Sequence, residues 1–271
     1  MYAPLVRLID QASTLTPSDS ILARRSSDSI LAWASPVPFF GDADRATVAT
    51  VGINPSNREF VDATGHELCG SVRRLSTLTS LGLARWSQVT GQHLSEIRRS
   101  CLRYFQSNPY RRWFDVLDRT LRAGEFSYYD GSACHLDLVA LATRDKWSAV
   151  DPQTREKLIA DGKSVLAQII RDSSLTALIL NGRSVVSEFE SFADVQLSAE
   201  RVEGWTLPRT SGGVDGYMFT GTVDTLGGVD LGRQVRVYGY NHNLQSSFGV
   251  TSQVIDRIGV RLGEFVAAPC R

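Results

Sequence analysis

The feature that most constrains the fold of this chain is a set of four short apolar segments rich in leucine and β-branched residues. They cover residues 47–54, 134–142, 176–181 and 235–240. Each has the length and composition of a strand that is buried on both faces, and stretches with helical periodicity separate them. This alternation predicts an α/β fold with three layers, α/β/α, around a central, mostly parallel, four-stranded sheet.

The organisation of the chain is predicted to be that of one domain, residues 1–271. Residues 1–40 are interpreted as helical decoration at the N-terminus. Residues 200–233 are rich in glycine and turn formers, which favours a loop or hairpin insertion before the last strand. No apolar run is long enough to span a membrane, and the N-terminus does not resemble a secretory signal. We therefore expect a cytoplasmic protein, and nothing in the sequence requires more than a monomer.

Charge and cysteine content narrow the classes of ligand. The chain has 29 basic and 29 acidic residues, but residues 73–122 contain ten arginines and three acidic residues. A basic segment on a neutral body is typical of a protein that contacts phosphates over a limited area, although a solvated helix face gives the same pattern. The four cysteines are far apart, which argues against a metal site built on close ligand pairs, and no cofactor is predicted.

Polar residues follow the predicted strands, where ligands of open α/β sheets bind. They are Asn54-Pro55-Ser56 after the first strand, His135 and Asp137 within the second segment, Asn181 at the end of the third, and Asn241-His242-Asn243 after the fourth. We expect these side chains to lie near one another at one edge of the sheet.

Two of these patches carry a family resemblance. Gly52-Ile53-Asn54-Pro55 resembles the first motif of the uracil-DNA glycosylase superfamily, closest to the G-I-N-P-G pattern of the mismatch-specific branch. Thr64-Gly65 and the residues up to Leu75 are similar to the T-G-x-P-F-x-G segment of the thermophile-like branches. The segment 240–247 is similar to the H-P-S motif of the superfamily, with the histidine kept as His242 and the proline lost.

The resemblance implies a uracil-DNA glycosylase-like fold and a DNA glycosylase that acts on a base flipped out of double-stranded DNA. Asn54 would orient a water molecule beneath a sugar that develops positive charge, and His242 would donate a hydrogen bond to the departing base. Neither motif contains a lysine that could form a Schiff base, so the enzyme is predicted to be monofunctional and to need neither metal nor cofactor.

The base-binding residues depart from the family pattern. Leu68 stands where the thermophile-like branches have a stacking phenylalanine, so Phe60, or else Trp147, is expected to stack on the base. Asp137 stands where asparagine reads uracil, with His135 two residues before it. A carboxylate accepts well from the exocyclic amine of cytosine and repels a carbonyl. Because normal cytosine cannot be the target, we expect a modified one, such as the hydroxymethylated or glucosylated cytosine of some phage DNA. Ser56 and Leu68 would leave room for it.

The predicted DNA contacts are arginines and the loop after the last strand. They are Arg73, Arg74, Arg111, Arg112, Asn243, Leu244, Gln245 and Ser246, with the loop 244–247 acting as a wedge in the duplex. Three alternatives stay open: a uracil or mismatch repair glycosylase, a non-catalytic sensor of modified DNA, and a nucleotide or nucleoside hydrolase. The last would need a phosphate cradle, and the sequence has no P-loop pattern. Repair and antiphage defence would use the same chemistry.

Overall fold

The computed structural model describes residues 2–14, 29–208, 212–245 and 248–268. Six α-helices and six strands occur in this part of the chain. The helices are α1 (Tyr2–Thr14), α2 (Gly91–Leu102), α3 (Arg111–Arg122), α4 (Pro152–Arg171), α5 (Arg183–Ala193) and α6 (Ser252–Ala267). The strands are β1 (Val48–Gly52), β2 (Ala133–Asp137), β3 (Ala177–Asn181), β4 (Ser198–Arg201), β5 (Tyr217–Leu226) and β6 (Val229–Tyr240).

The strands form one mixed sheet in the order β2-β1-β3-β6-β5-β4. The first four of these are parallel to one another, while β5 runs antiparallel to β6 and β4 antiparallel to β5. The predicted α/β fold is confirmed. The prediction of four strands is wrong, because the sheet has six. β4 and β5 were missed because all four positions of β4 are exposed and only three of the ten positions of β5 are buried, so neither has the continuous apolar run by which the other strands were found.

The glycine-rich segment before the last strand forms a hairpin. β5 and β6 meet at Gly227-Gly228, whose φ angles are 54° and 77°. Positive φ at both central positions is the backbone of a type I′ turn, which matches the twist of the flanking strands and favours glycine. β6 therefore begins at Val229, and the sequence detected only its buried second half.

Helices cover both faces of the sheet, as the alternation of side chains along β6 demonstrates. The hydroxyl of Tyr238 donates to the carbonyl of Ile258 in α6 at 3.2 Å. The next residue, Gly239, lies against Val186 of α5. Since successive residues of a strand point to opposite faces, α5 and α6 lie on opposite sides of the sheet. α4 packs beside α5, and α3 packs against α6, where Arg119 and Asp256 form an ion pair with an N–O distance of 2.7 Å.

All positions of β1, β2 and β3 are buried, as expected for strands covered on both faces. Among the described helices, none combines the length and the apolar character that a membrane span requires.

The strand order places a topological switch point between β1 and β3. The chain leaves β1 towards β2 on one side and leaves β3 towards β6 on the other. Connections that diverge in this way open a crevice beyond the carboxyl ends of the two strands, and ligands of doubly wound sheets bind there. Asn54 and Asn181 stand at this point, so the crevice is where a functional site is expected.

Candidate active site

Asn54 is held by its amide nitrogen, which leaves its amide oxygen as an acceptor. Nδ2 donates to the carbonyl of Pro55 at 3.1 Å and to Oγ1 of Thr143 at 3.0 Å. Thr143 in turn donates to the carbonyl of Asp145 at 2.7 Å. Among the described residues, none donates to Oδ1 of Asn54. The half-buried amide is therefore oriented by the loop after β2, and its oxygen is available to accept a proton donor such as water.

His135 and Asp137 form a buried pair on β2. Nε2 of His135 lies 3.3 Å from Oδ1 of Asp137, and each side chain is 3% exposed. On the other side of the ring, Nδ1 lies 2.6 Å from Oγ1 of Thr50, which also contacts the hydroxyl of Tyr128. These groups form a chain of hydrogen bonds that runs in one direction. The Tyr128 hydroxyl donates to Thr50, the Thr50 hydroxyl donates to Nδ1 of His135, and Nε2–H of His135 donates to Asp137. This chain fixes Asp137 as an acceptor, and no described residue donates to its Oδ2.

Gly52 is the neighbour of Asp137 in register and makes room for this pair. A Cβ on Gly52 would overlap Oδ1 of Asp137 and lie 3.1 Å from Nε2 of His135. The requirement for glycine here is one of space. The first motif and the polar pair of β2 are thus brought together, as the sequence predicted for residues at the carboxyl ends of strands.

Glu59 is a buried carboxyl that the sequence analysis missed. It lies in the turn Asn57–Glu59 after β1, is 2% exposed, and accepts a hydrogen bond from the Tyr104 hydroxyl at 2.6 Å. That hydroxyl accepts from the backbone N–H of Tyr110, directly before α3, at 2.8 Å. Burial, with a smaller contribution from the charge of Asp137, raises the pKa of Glu59 to about 7, although the hydrogen bond from Tyr104 and the charge of Arg74 lower it.

His242 is turned towards the segment between β4 and β5, and not towards the position of a base as its predicted role requires. Its Nε2 lies 2.7 Å from the carbonyl of Trp205, so this nitrogen is the donor of that bond. Burial lowers the pKa of His242 and favours the neutral ring. Asn241 is tied to the same insertion through Asp215 and Tyr217. The N–H that would meet a departing base is therefore used within the fold.

The loop after β6 places its predicted DNA contacts in different environments. Leu244 is 5% exposed and belongs to the core, so the prediction of this residue as a wedge is wrong for this arrangement. Gln245 joins two elements: its Oε1 accepts from Asn181 at 3.1 Å and its Nε2 donates to the carbonyl of Trp113 at 3.4 Å. Asn243 is half-buried and its Oδ1 accepts from the backbone N–H of Gln245. Ser246 lies outside the described residues.

Phe248, which the sequence analysis did not single out, is 76% exposed. It is the most exposed large apolar side chain of the described residues and lies in this same loop. In the sequence Phe248 stands between Ser247 and Gly249, two residues that favour turns, and this position could have indicated an exposed aromatic ring.

The predicted arginines come together around the start of α3. Arg74 lies over the ring of Tyr110, 5.5 Å from its centroid, and Arg111 and Arg112 follow that residue directly. Asn108 donates to the carbonyl of Val72 at 2.7 Å, which holds the Arg73 loop against the same region. Arg73 and Arg112 are exposed and form no ion pair with a described residue, whereas Arg111 lies 3.7 Å from Asp115.

The predicted stacking residues lie in the core. Phe60 is 1% exposed and packs edge-on against Trp33, with ring centroids 6.2 Å apart. Leu68 is 8% exposed and is bonded through its backbone to Phe60. Trp147 packs partly buried against the core, and the hydroxyl of Ser56 accepts from the N–H of Arg58. Neither face of Phe60 is open to a base, so stacking on Phe60 would require its loop to move.

Two small cavities lie near the site. One, of about 30 Å³, lies between α1, α4 and the segment after β2, and Leu8, Val139 and Leu158 line it. The other, of about 10 Å³, is lined by Asp137 together with Pro38 and Leu166. Each has space for about one water molecule, so neither holds a base in this arrangement. In the described ranges no group of three or more histidine, cysteine or acidic side chains is arranged to hold a metal ion.

No protein-family model matches this chain, and a search of curated proteins found no match to it. The glycosylase resemblance accordingly stays a prediction, and the site has to be interpreted from its own geometry.

The raised pKa of Glu59 predicts a pH-dependent stability that Glu59→Gln removes. The folded protein binds the Glu59 proton more tightly than the unfolded chain does. The stability that this residue contributes is therefore lost as pH rises from about 4.5 to about 7. Relative to the parent protein, the variant should gain up to about 3 kcal/mol of unfolding free energy between pH 5 and pH 8. Glutamine can still accept from Tyr104.

Urea unfolding at several pH values would measure this difference. Glu264→Gln, on the exposed surface of α6, serves as the matched control and should run parallel to the parent protein. Parallel curves for Glu59→Gln as well would contradict a raised pKa at Glu59.

Proposed function

We propose that this protein is a monofunctional DNA glycosylase that hydrolyses the N-glycosidic bond of a flipped-out, modified cytosine. The observation that carries the proposal is the fixed acceptor at Asp137. Its Oδ1 is held by His135 and its Oδ2 receives no hydrogen bond from a described residue, at the carboxyl end of β2 beside Gly52. A buried carboxylate with one oxygen to spare suits an exocyclic amine and repels a carbonyl.

Asn54 supplies the second element of the proposed mechanism. Its amide nitrogen is already bonded, so its oxygen is the atom left to accept a proton from water. An amide oxygen orients water without acting as a strong base. Such orientation suffices when the sugar already carries much of the positive charge in an oxocarbenium-like transition state.

The arginine cluster supports a DNA partner. Arg73 and Arg112 are exposed without an ion pair among the described residues, next to the first turn of α3. Backbone N–H groups at the start of a helix and unpaired guanidinium groups both favour phosphate oxygens. We propose that this surface binds the DNA backbone and leaves the reading of the base to the switch-point crevice.

One observation favours a second candidate, a non-catalytic sensor of modified DNA. Nε2 of His242 is bonded to the Trp205 carbonyl, so this residue does not donate to a base in this arrangement. A protein that recognised the base through Asp137 but lacked a donor for the departing anion would bind modified DNA without releasing a base. The two candidates share the binding site and differ in the reaction.

Base release from matched duplexes decides between them. The duplexes would contain uracil, a G·T mismatch, 5-hydroxymethylcytosine or its glucosylated form, and released base would be quantified by chromatography. We expect release of a modified cytosine, and a rate at least about 100-fold lower in Asn54→Ala because water is no longer oriented. Thermal unfolding of the variant would exclude loss of the fold as the cause.

Release of uracil or thymine instead would support a repair enzyme. Tight binding to a modified duplex without release of any base would support the sensor and contradict the glycosylase.

Asp137→Asn should change which base is preferred. Asparagine can donate to a carbonyl as well as accept from an amine, so discrimination against a uracil-like base should fall by about tenfold or more. Competition between duplexes that carry 5-hydroxymethyluracil or 5-hydroxymethylcytosine would measure the ratio. Asp10→Asn, an exposed carboxyl on α1, is the matched control and should leave the ratio unchanged. An unaltered ratio in Asp137→Asn would remove the argument for an amine-bearing base.

Phe248 replaces Leu244 as the proposed wedge, since its ring is exposed and apolar. A wedge compensates for the unstacking of the flipped base, and that cost is largest in a paired duplex. Phe248→Ala should therefore lower release from duplex DNA by about tenfold and leave single-stranded substrates within about threefold. Val260→Ala, which truncates an exposed apolar residue on α6, is the control. Equal losses on both kinds of DNA would argue against a wedge.

A further inference from the structure

The last residues of the four parallel strands form a row across the sheet. Asp137 pairs in register with Gly52, and Asn181 pairs with Tyr240. Because Val51 pairs with Leu180, Gly52 and Asn181 are the next neighbours along β1 and β3. Residues in register on parallel strands point to the same face. The row therefore reads Asp137, Gly52, Asn181, Tyr240, and Oδ1 of Asp137 occupies the space that a side chain at Gly52 would take.

This row faces α3 and α6. Gln245 links Asn181 to the backbone of Trp113 in α3. Tyr238, two residues before Tyr240 and hence on the same face, donates to α6. His135, two residues before Asp137, packs its ring against Phe114 of α3 with centroids 5.2 Å apart. Asp137, Asn181 and Tyr240 are thus on one side of the sheet, beneath the loop that carries Gln245.

Two polar atoms in the row are buried and have no partner among the described residues: Oδ1 of Asn181 and the hydroxyl of Tyr240. Their residues are 3% and 0% exposed. One row lower on the same face, the polar groups of Thr50, His135 and Tyr238 all have partners. Buried polar groups are almost always satisfied, so two unpartnered groups on the neighbouring strands β3 and β6 indicate a place for a polar ligand group.

We propose that Asn181 and Tyr240 form a second hydrogen-bonding subsite, across Gly52 from Asp137, for a hydroxylated substituent of the base. This inference rests on the proposed glycosylase function. An amide oxygen that accepts and a phenol that both donates and accepts are matched to an alcohol, which does both. Gln245 covers the subsite and releases Asn181 when the base enters.

The spacing of the strands sets the substrate class. Oδ1 of Asp137 lies over Gly52 of β1. Neighbouring strands lie about 4.8 Å apart, so this carboxyl is separated from β3 by about 5 Å and from β6 by about 10 Å. The hydroxymethyl group of a modified cytosine lies beside the exocyclic amine, so a ring with this group alone, held at Asp137, does not reach Tyr240. A glycosyl group on the same substituent extends towards Tyr240. The row therefore selects for the substituent, while Asp137 selects for the amine.

Tyr240→Phe and Asn181→Leu test the subsite, and Tyr238→Phe is the matched control on the same strand and face. Binding would be measured with duplexes that contain 2′-fluoro analogues of deoxycytidine or of glucosylated 5-hydroxymethyldeoxycytidine, which resist hydrolysis. The parent protein should prefer the glucosylated duplex. Tyr240→Phe and Asn181→Leu should each weaken that preference by about fivefold, and Tyr238→Phe should keep it. Thermal unfolding adds a second readout: Tyr238→Phe should lower Tm, because it loses a bond, and Tyr240→Phe should not.

Equal binding of the two duplexes by the parent protein would overturn the subsite, and so would a full preference retained in Tyr240→Phe. Base release from hydrolysable duplexes, measured on the same proteins, tests the glycosylase separately. Release that depends on Asn54 would support the enzyme even where the subsite fails. A preference that Tyr240→Phe weakens would support the subsite even where no base is released.

Discussion

The candidate site depends on the absence of a side chain at Gly52. β1 lies between β2 and β3, so any Cβ at its last position would enter the space occupied by Oδ1 of Asp137 and Nε2 of His135. Glycine lets the polar pair lie flat against the backbone of β1, where Thr50 and Tyr128 complete its hydrogen bonds. Because Gly52 has no side chain, no other side chain of the row stands between Asp137 and Asn181.

Hydrogen bonds between polar side chains near Gly52 connect the loops of the site to one another. Glu59, in the loop after β1, reaches the start of α3 through Tyr104, and Asn54 reaches the loop after β2 through Thr143. A buried charge without compensation is costly, which is why burial raises the pKa of Glu59 and why a proton is retained there to about pH 7. The loop after β1 is therefore joined to the start of α3 by a buried carboxyl that the charge of Arg74 also influences.

The sequence predicts those features of the fold and site whose pattern lies within one short segment of the chain. Buried parallel strands are continuous apolar runs, so the sequence predicts β1, β2 and β3. Because ligands of such sheets bind beyond the carboxyl ends of the strands, the sequence also predicts that Asn54 and Asp137 lie at the same edge of the sheet. Partners distant in sequence carry no such signal. His242 is bonded to Trp205, 37 residues earlier, and Leu244 is buried although its neighbours are polar. Glu59 was missed because a glutamate in a polar loop is normally exposed.

The loop after β6 is held by hydrogen bonds of unequal length, and this difference indicates which of its residues moves most easily. Asn241 and His242 bond to the insertion before β6 at distances of 2.7 and 2.8 Å and are part of the fold. Gln245 is held by side-chain bonds of 3.1 and 3.4 Å, and the longer of these is weak. Withdrawing the side chain of Gln245 breaks these two hydrogen bonds, and a ligand group that bonds to Asn181 in its place restores one of them. Opening of the crevice can therefore occur without disturbing the sheet, since the strong contacts and the weak ones belong to different residues of the same loop.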